Sequence, residues 1–92
     1  MINAEFKTDA KTLTLNVTGH AEYAEYGKDI VCSAASILFT TLKSLVGDTS
    51  DGTSVTCDNT DNFSSFFVFT QSGFQLLADA YPDCVAVMVD KA

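Results

Sequence analysis

Apolar and polar positions alternate at the start of the chain and recur at helical spacing in its middle. Ile2, Ala4 and Phe6 alternate with polar neighbours, and after a turn near residues 9–11 Leu13, Leu15 and Val17 alternate against Thr12, Thr14, Asn16 and Thr18. Period-two alternation predicts a half-buried antiparallel hairpin with one face in the core and one in water. Gly19 breaks the second strand and leaves His20 at its end; residues 21–28, including Tyr23, Tyr26 and Gly27, read as a surface loop. With Asp29 as N-cap, Ile30, Ala34, Ile37, Leu38, Thr41, Leu42 and Leu45 recur at helical spacing until Gly47, which suits the C′ position. This helix carries its core stripe on the Ile30 side. Cys32 then lies in its first turn and off that stripe, with Ser36 one turn further along the same face.

Residues 47–52 read as a polar loop, residues 53–58 as a short strand carrying Val55 and Cys57, and residues 59–62 as a turn. Phe63, Phe67 and Phe69 alternate against Phe66 and Val68, which predicts a further strand over 63–70 with both faces apolar, one of them covered by another subunit or a bound peptide. Ser72 is placed as the cap of a second helix with a stripe of Phe74, Leu77, Ala78 and Tyr81, weakened by Gly73 and ended by Pro82. Residues 84–89 alternate as a last strand. The order ββαββαβ predicts an α+β two-layer sandwich, a mainly antiparallel sheet with two helices on one face, containing a ferredoxin-like split βαβ unit.

Composition narrows the class. The 92 residues form one domain (1–92), and 47% hydrophobic and 18% charged residues with a single proline describe an ordered globular chain. A domain of this size buries only about 60 to 65% of its unfolded surface, so a partner subunit adds stability. Twelve acidic against five basic residues give a net charge of −7. That field repels nucleic-acid phosphates and attracts cationic polypeptides, so no nucleic-acid partner is expected. The first ten residues lack a basic-then-apolar leader and no apolar run reaches a membrane span, which makes the cytoplasm the expected location, with no membrane partner. Three widely spaced cysteines, Cys32, Cys57 and Cys84, suit free thiols in a reducing compartment better than a disulfide framework.

The candidate chemistry lies between Gly19 and Ser36. The chain's sole histidine, His20, precedes Cys32 by twelve positions. A cysteine protease needs a thiolate, a histidine that shares its proton and later protonates the leaving amine, and N–H donors for the oxyanion. A helix N-terminus and a neighbouring imidazolium both favour a thiolate, and the same helix end offers unpaired N–H groups. Against this stand plainer readings: Cys32 as a small core residue, His20 as a surface residue, Tyr23 as an exposed loop residue, and Ser36 as part of the helix surface. Asp29 either orients His20 or caps the helix. A zinc site from His20, Cys32, Cys57 and Cys84 has suitable ligand types but no CxxC or HxxxH spacing, so neither a metal nor another cofactor is expected.

At these residues the sequence resembles the ribosomal-processing cysteine proteases, the Prp family of bacteria. Gly19, His20, Ala21, Tyr23, Gly27, Asp29, Ile30, Val31, Cys32, Ala35 and Ser36 match the family's motif at its spacing, and Tyr81 and Pro82 extend the match before the last strand. The chain departs from the pattern at Ser33, where the family usually has alanine, and in a second helix that looks short. The resemblance implies a homodimeric cytoplasmic cysteine protease that removes a short N-terminal extension from the twenty-seventh large-subunit ribosomal protein after an aromatic residue. It assigns Cys32 as nucleophile, His20 as general base and acid, Asp29 and Ser36 as supporting residues, and Gly19, Tyr23 and Gly27 to the substrate-binding loop. The competing reading is a non-catalytic module that binds a basic ribosomal protein or assembly factor.

Overall fold

A computed structural model describes residues 1–19, 28–50 and 52–91, without the side chains of Lys28 and Asp29. Four strands and two helices follow one another as β1 (Ile2–Thr8), β2 (Thr12–Thr18), α1 (Lys28–Leu45), β3 (Ser54–Asp58), α2 (Asp61–Ala80) and β4 (Val85–Lys91). The α+β two-layer architecture read from the sequence is observed. Asp9 forms the hairpin turn: its Oδ1 accepts from the Lys11 and Thr12 N–H groups at 2.8 and 2.7 Å, and its Oδ2 accepts from the Thr12 hydroxyl at 2.9 Å. These donors hold its carboxyl below the usual carboxylate range.

The sheet runs β3-β2-β1-β4. β1 and β2 pair antiparallel from Asn3↔Thr18 to Thr8↔Leu13, and β2 and β3 antiparallel from Thr12↔Asp58 to Asn16↔Ser54. β4 lies parallel to β1, with Ile2 opposite Val85. The β3–α2–β4 connection therefore joins two parallel edge strands across both middle strands, where a ferredoxin-like unit interposes one. One face of the sheet, built from Ile2, Ala4, Phe6, Leu13, Leu15, Val55 and Val85, is buried beneath both helices in a single core.

The expected strand over 63–70 is instead part of a twenty-residue helix, α2. Thr60 caps it, its Oγ1 accepting from the Phe63 N–H at 3.2 Å, and Asp61 places negative charge in the first turn. Ser72 is thus interior rather than a cap. Phe67, Thr70 and Phe74 are buried, with Phe63, Phe66 and Leu77 partly so, a spacing that follows the helical period. The second helix is therefore long, and Gly73 does not interrupt it. A Cβ at Gly73 would come within 2.8 Å of the Leu38 side chain, so the glycine leaves α2 room to pack on Leu38 of α1.

The core stripe of α1 is also on another face than expected. Val31, Ala35 and Leu42 are buried, whereas Ile30, Ile37 and Leu45 point outward. Gly47 ends α1 as foreseen: at φ 72° it donates to the Ser44 carbonyl while the Asp48 N–H donates to Lys43, a Schellman arrangement. No helix among the described residues is long and apolar enough to cross a membrane.

Phe6, fully buried in β1, meets Phe67 and Phe74 of α2 edge to face at centroid distances of 5.2 and 5.7 Å. Truncation to alanine at such a site removes contacts to the sheet and to α2 together. Phe6→Ala is expected to lower the unfolding free energy by about 4 kcal/mol, as read by urea denaturation; a loss below about 1 kcal/mol would show that α2 docks without it.

Candidate active site

Cys32 is the fifth residue of α1, since the helix begins at Lys28. Asp29 consequently sits in the first turn rather than ahead of it as N-cap, and the N–H groups without intrahelical partners belong to that turn, before Cys32. Cys32 is half-buried and packs against the core, next to buried Val31, which corrects the expectation that it stands clear of the core seam.

Cys32 lines a groove of about 280 Å³ between α1, the end of β2 and the start of β3. From α1 come Cys32, Ser36 and Phe39, at i, i+4 and i+7 on one helical face. Ile2 and Val17 contribute an apolar floor, and Gly19, Gly52 and Thr53 stand on the other side. Gly19 has φ +88°, and a Cβ there would run into the Met1 carbonyl, so backbone conformation and close approach both call for glycine. The floor is apolar and the rim carries hydroxyls and backbone, a surface suited to an extended peptide with an apolar side chain.

Of the residues singled out in the sequence, Cys32, Ser36 and Gly19 converge on this groove. Ser36 is exposed one turn beyond the thiol. His20, Tyr23, Gly27 and the Asp29 side chain lie outside the described residues. The sequence reading missed Phe39, Gly52 and Thr53. Phe39 lies seven residues past Cys32 and so was detectable on its helical face, but Gly52 and Thr53 reach the groove only through the pairing of β2 with β3.

The other two cysteines are placed differently. Cys57 lies on edge strand β3 and Cys84 immediately before the opposite edge strand β4, so about 14 Å of sheet separates their strands. The three thiols are not brought together. Burial first, and then the Asp58 and Asp48 carboxylates, push the Cys57 thiol up in pKa. Cys84 is buried.

Comparisons with known proteins bear on the family and the fold. A family model described as cysteine protease Prp matches residues 1–86. Ribosomal processing cysteine protease Prp of two Staphylococcus aureus strains is 36% identical over 61 residues, which is 65% of this chain and 56% of those relatives. This chain therefore spans little more than half the length of the curated relatives it matches. Among solved structures, a Streptococcus mutans protein superposes with TM-score 0.79 at 26% identity, covering 100% of this chain and 99% of that one. The S. aureus processing protease Prp bound to a covalently linked product peptide superposes with TM-score 0.69 at 22% identity, over 98% of this chain and 100% of its own, a likeness of fold.

Proposed function

Because the chain belongs to the Prp family of cysteine proteases, whose model matches residues 1–86, we propose that it is a peptidase with Cys32 as nucleophile and His20 as general base and acid. The observation that carries this reading is the groove: Cys32 and Ser36 of the matched motif face the same cleft as Gly19, the residue directly before His20. His20 accepts the Sγ proton, the thiolate attacks the scissile carbonyl, and the oxyanion of the tetrahedral adduct is met by N–H donors of the first turn of α1. Collapse releases the amine, which takes the proton back from His20, and water then hydrolyses the thioester to free Cys32. Ser36 and Asp29 support the pair, and Tyr23 and Gly27 belong to the loop that meets the substrate.

The substrate in this reading is the N-terminal extension of the twenty-seventh large-subunit ribosomal protein, cut in the cytoplasm after an aromatic residue. The apolar floor of Ile2 and Val17 suits an apolar-aromatic stretch, and the net charge of −7 draws in the basic chain that follows it. A peptide with this extension is expected to be cut once by the purified protein and left intact by Cys32→Ala, as read by mass spectrometry. Cleavage that survives Cys32→Ala would overturn the assignment, and binding without cleavage by the unmodified protein would favour a non-catalytic module.

The active unit in this reading is a homodimer. Ile37 and Leu45 of α1 share a surface cleft with Phe69 of α2, and Ile30, one helical repeat before Ile37, and Leu76, one after Phe69, are exposed as well, Phe69 and Leu76 at 76% and 71%. Together they make an apolar face on the side of the helices away from the sheet, and a second copy would cover it. Sedimentation at micromolar concentration is expected to give a dimer for the unmodified chain and a folded monomer for Phe69→Glu/Leu76→Glu. A monomeric unmodified chain would contradict this.

A further inference from the structure

We infer that Asp48 is a positioning residue that, with Lys43, sets the width of the groove in front of Cys32. The inference rests on the proposed peptidase reading and concerns residues outside its motif. The groove has two walls that belong to separate parts of the chain: Cys32, Ser36 and Phe39 on α1, and Gly52 and Thr53 ahead of β3. Nothing in the β2–β3 ladder fixes the distance between them, because that ladder runs along the far wall alone.

Lys43 and Asp48 bridge the two. The Asp48 backbone is tied to the end of α1 by its N–H, which donates to the Lys43 carbonyl at 3.0 Å. Its carboxylate reaches the other way: Oδ1 accepts from the N–H and hydroxyl of Ser50 at 2.9 and 2.6 Å, and Oδ2 accepts from the Thr56 N–H of β3 at 3.1 Å. The Lys43 ammonium lies 3.7 Å from Asp48 Oδ1 and donates to the Ser50 hydroxyl at 3.3 Å and to the Ser54 carbonyl at 3.2 Å. The same ammonium sits 5.7 Å from the centroid of Phe39, a residue of the near wall. One ion pair thus contacts the near wall at Phe39 and, at Ser50, Ser54 and Thr56, the segment of chain that carries the far-wall residues Gly52 and Thr53.

Thr53 is held from behind. Its carbonyl accepts from the Val17 N–H at 2.8 Å, and its hydroxyl donates to Asn16 Oδ1 at 3.2 Å, an oxygen that also accepts from the Ser54 hydroxyl at 3.1 Å. The far wall is therefore fastened to β2 on one side and to the end of α1 on the other. The Ser50 and Thr56 donors hold the Asp48 carboxyl well below the usual carboxylate range, so this carboxylate keeps its charge where ordinary carboxylates begin to be protonated. Asparagine at this position keeps one acceptor for Ser50 but turns the other atom into a donor facing the Thr56 N–H, and it removes the charge that Lys43 meets.

The test is the kinetics of Asp48→Asn and Lys43→Met on the extension peptide. Misplacing one wall weakens binding while leaving the cysteine chemistry in place, so each variant is expected to raise KM about five- to tenfold with kcat changed less than about twofold. The double variant should do little more than either single change, since both break one bridge. A purely structural role would lower the active fraction, seen as a fall in kcat at unchanged KM, and that result would overturn the inference, as would unchanged constants. Lys43→Met decides the matter where Asp48→Asn fails to fold. If the unmodified protein does not cleave, the peptidase reading fails by itself; the inference is then read from the Kd of the same peptide, expected to rise by a similar factor in Asp48→Asn and contradicted by an equal Kd.

Discussion

The structure depends on the contact of one phenylalanine with two others. Phe6, at the middle of β1, is clasped by Phe67 and Phe74, one helical turn above and one below the buried Thr70. β1 pairs with β2 on one side and β4 on the other, so fixing α2 over Phe6 also fixes where the chain returns to the sheet after Pro82. α2 in turn sets α1, because Gly73 lets the two helices close over Leu38. Cys32 inherits its place from that chain of contacts: α1 lies against the sheet through Val31, Ala35 and Leu42, and the thiol next to Val31 is carried to the edge of the core, where β2 ends.

This placement has a chemical consequence. A thiol deep in the core would be inert and one on an open helix face would have no walls to hold a peptide. At the border between the two, Cys32 has core on one side and a groove on the other, with the first turn of α1 just ahead of it. The far side of that groove comes from residues distant in sequence, and the polar network around Asp48 and Asn16 gives it a defined position. Every described buried side-chain polar atom in the structure has a partner, which suits a site whose shape is set by hydrogen bonds rather than by bulk packing.

Much of this was legible in the sequence, and the rest was hidden for identifiable reasons. The β1–β2 hairpin alternates cleanly because one of its faces is wet, and Gly47 marks the end of α1 because its positive φ needs glycine. α2 was misread over Phe63–Thr70 because it is apolar on two sides: Phe67 and Thr70 face the core while Val68 and Phe69 face outward, so a two-residue and a 3.6-residue period both fit the same run. In α1 the expected stripe held Leu42, which is buried, but ran through Ile30, Ile37 and Leu45, which are exposed, in place of Val31 and Ala35, because apolar residues stand on both neighbouring faces of that helix. Cys32 was singled out by its place early in α1, and Ser36 and Gly19 were assigned to the site by the resemblance; all three line the groove. Gly52, Thr53 and Asp48 carry no local signal, since their roles arise from the register of β3 on β2 and from the closing of the loop after α1.

The central claim, that Cys32 is an activated nucleophile in this groove, is tested most directly by the pH dependence of alkylation at each cysteine, followed by mass spectrometry with iodoacetamide. Cys57 is expected to react late as pH rises, its thiol being held neutral by burial and by Asp58 and Asp48, and Cys84 to be protected by burial. Cys32 is expected to react fastest and well below pH 8, with the advantage lost in His20→Ala. Equal rates at Cys32 and Cys57, or a fast Cys32 indifferent to His20, would contradict the account.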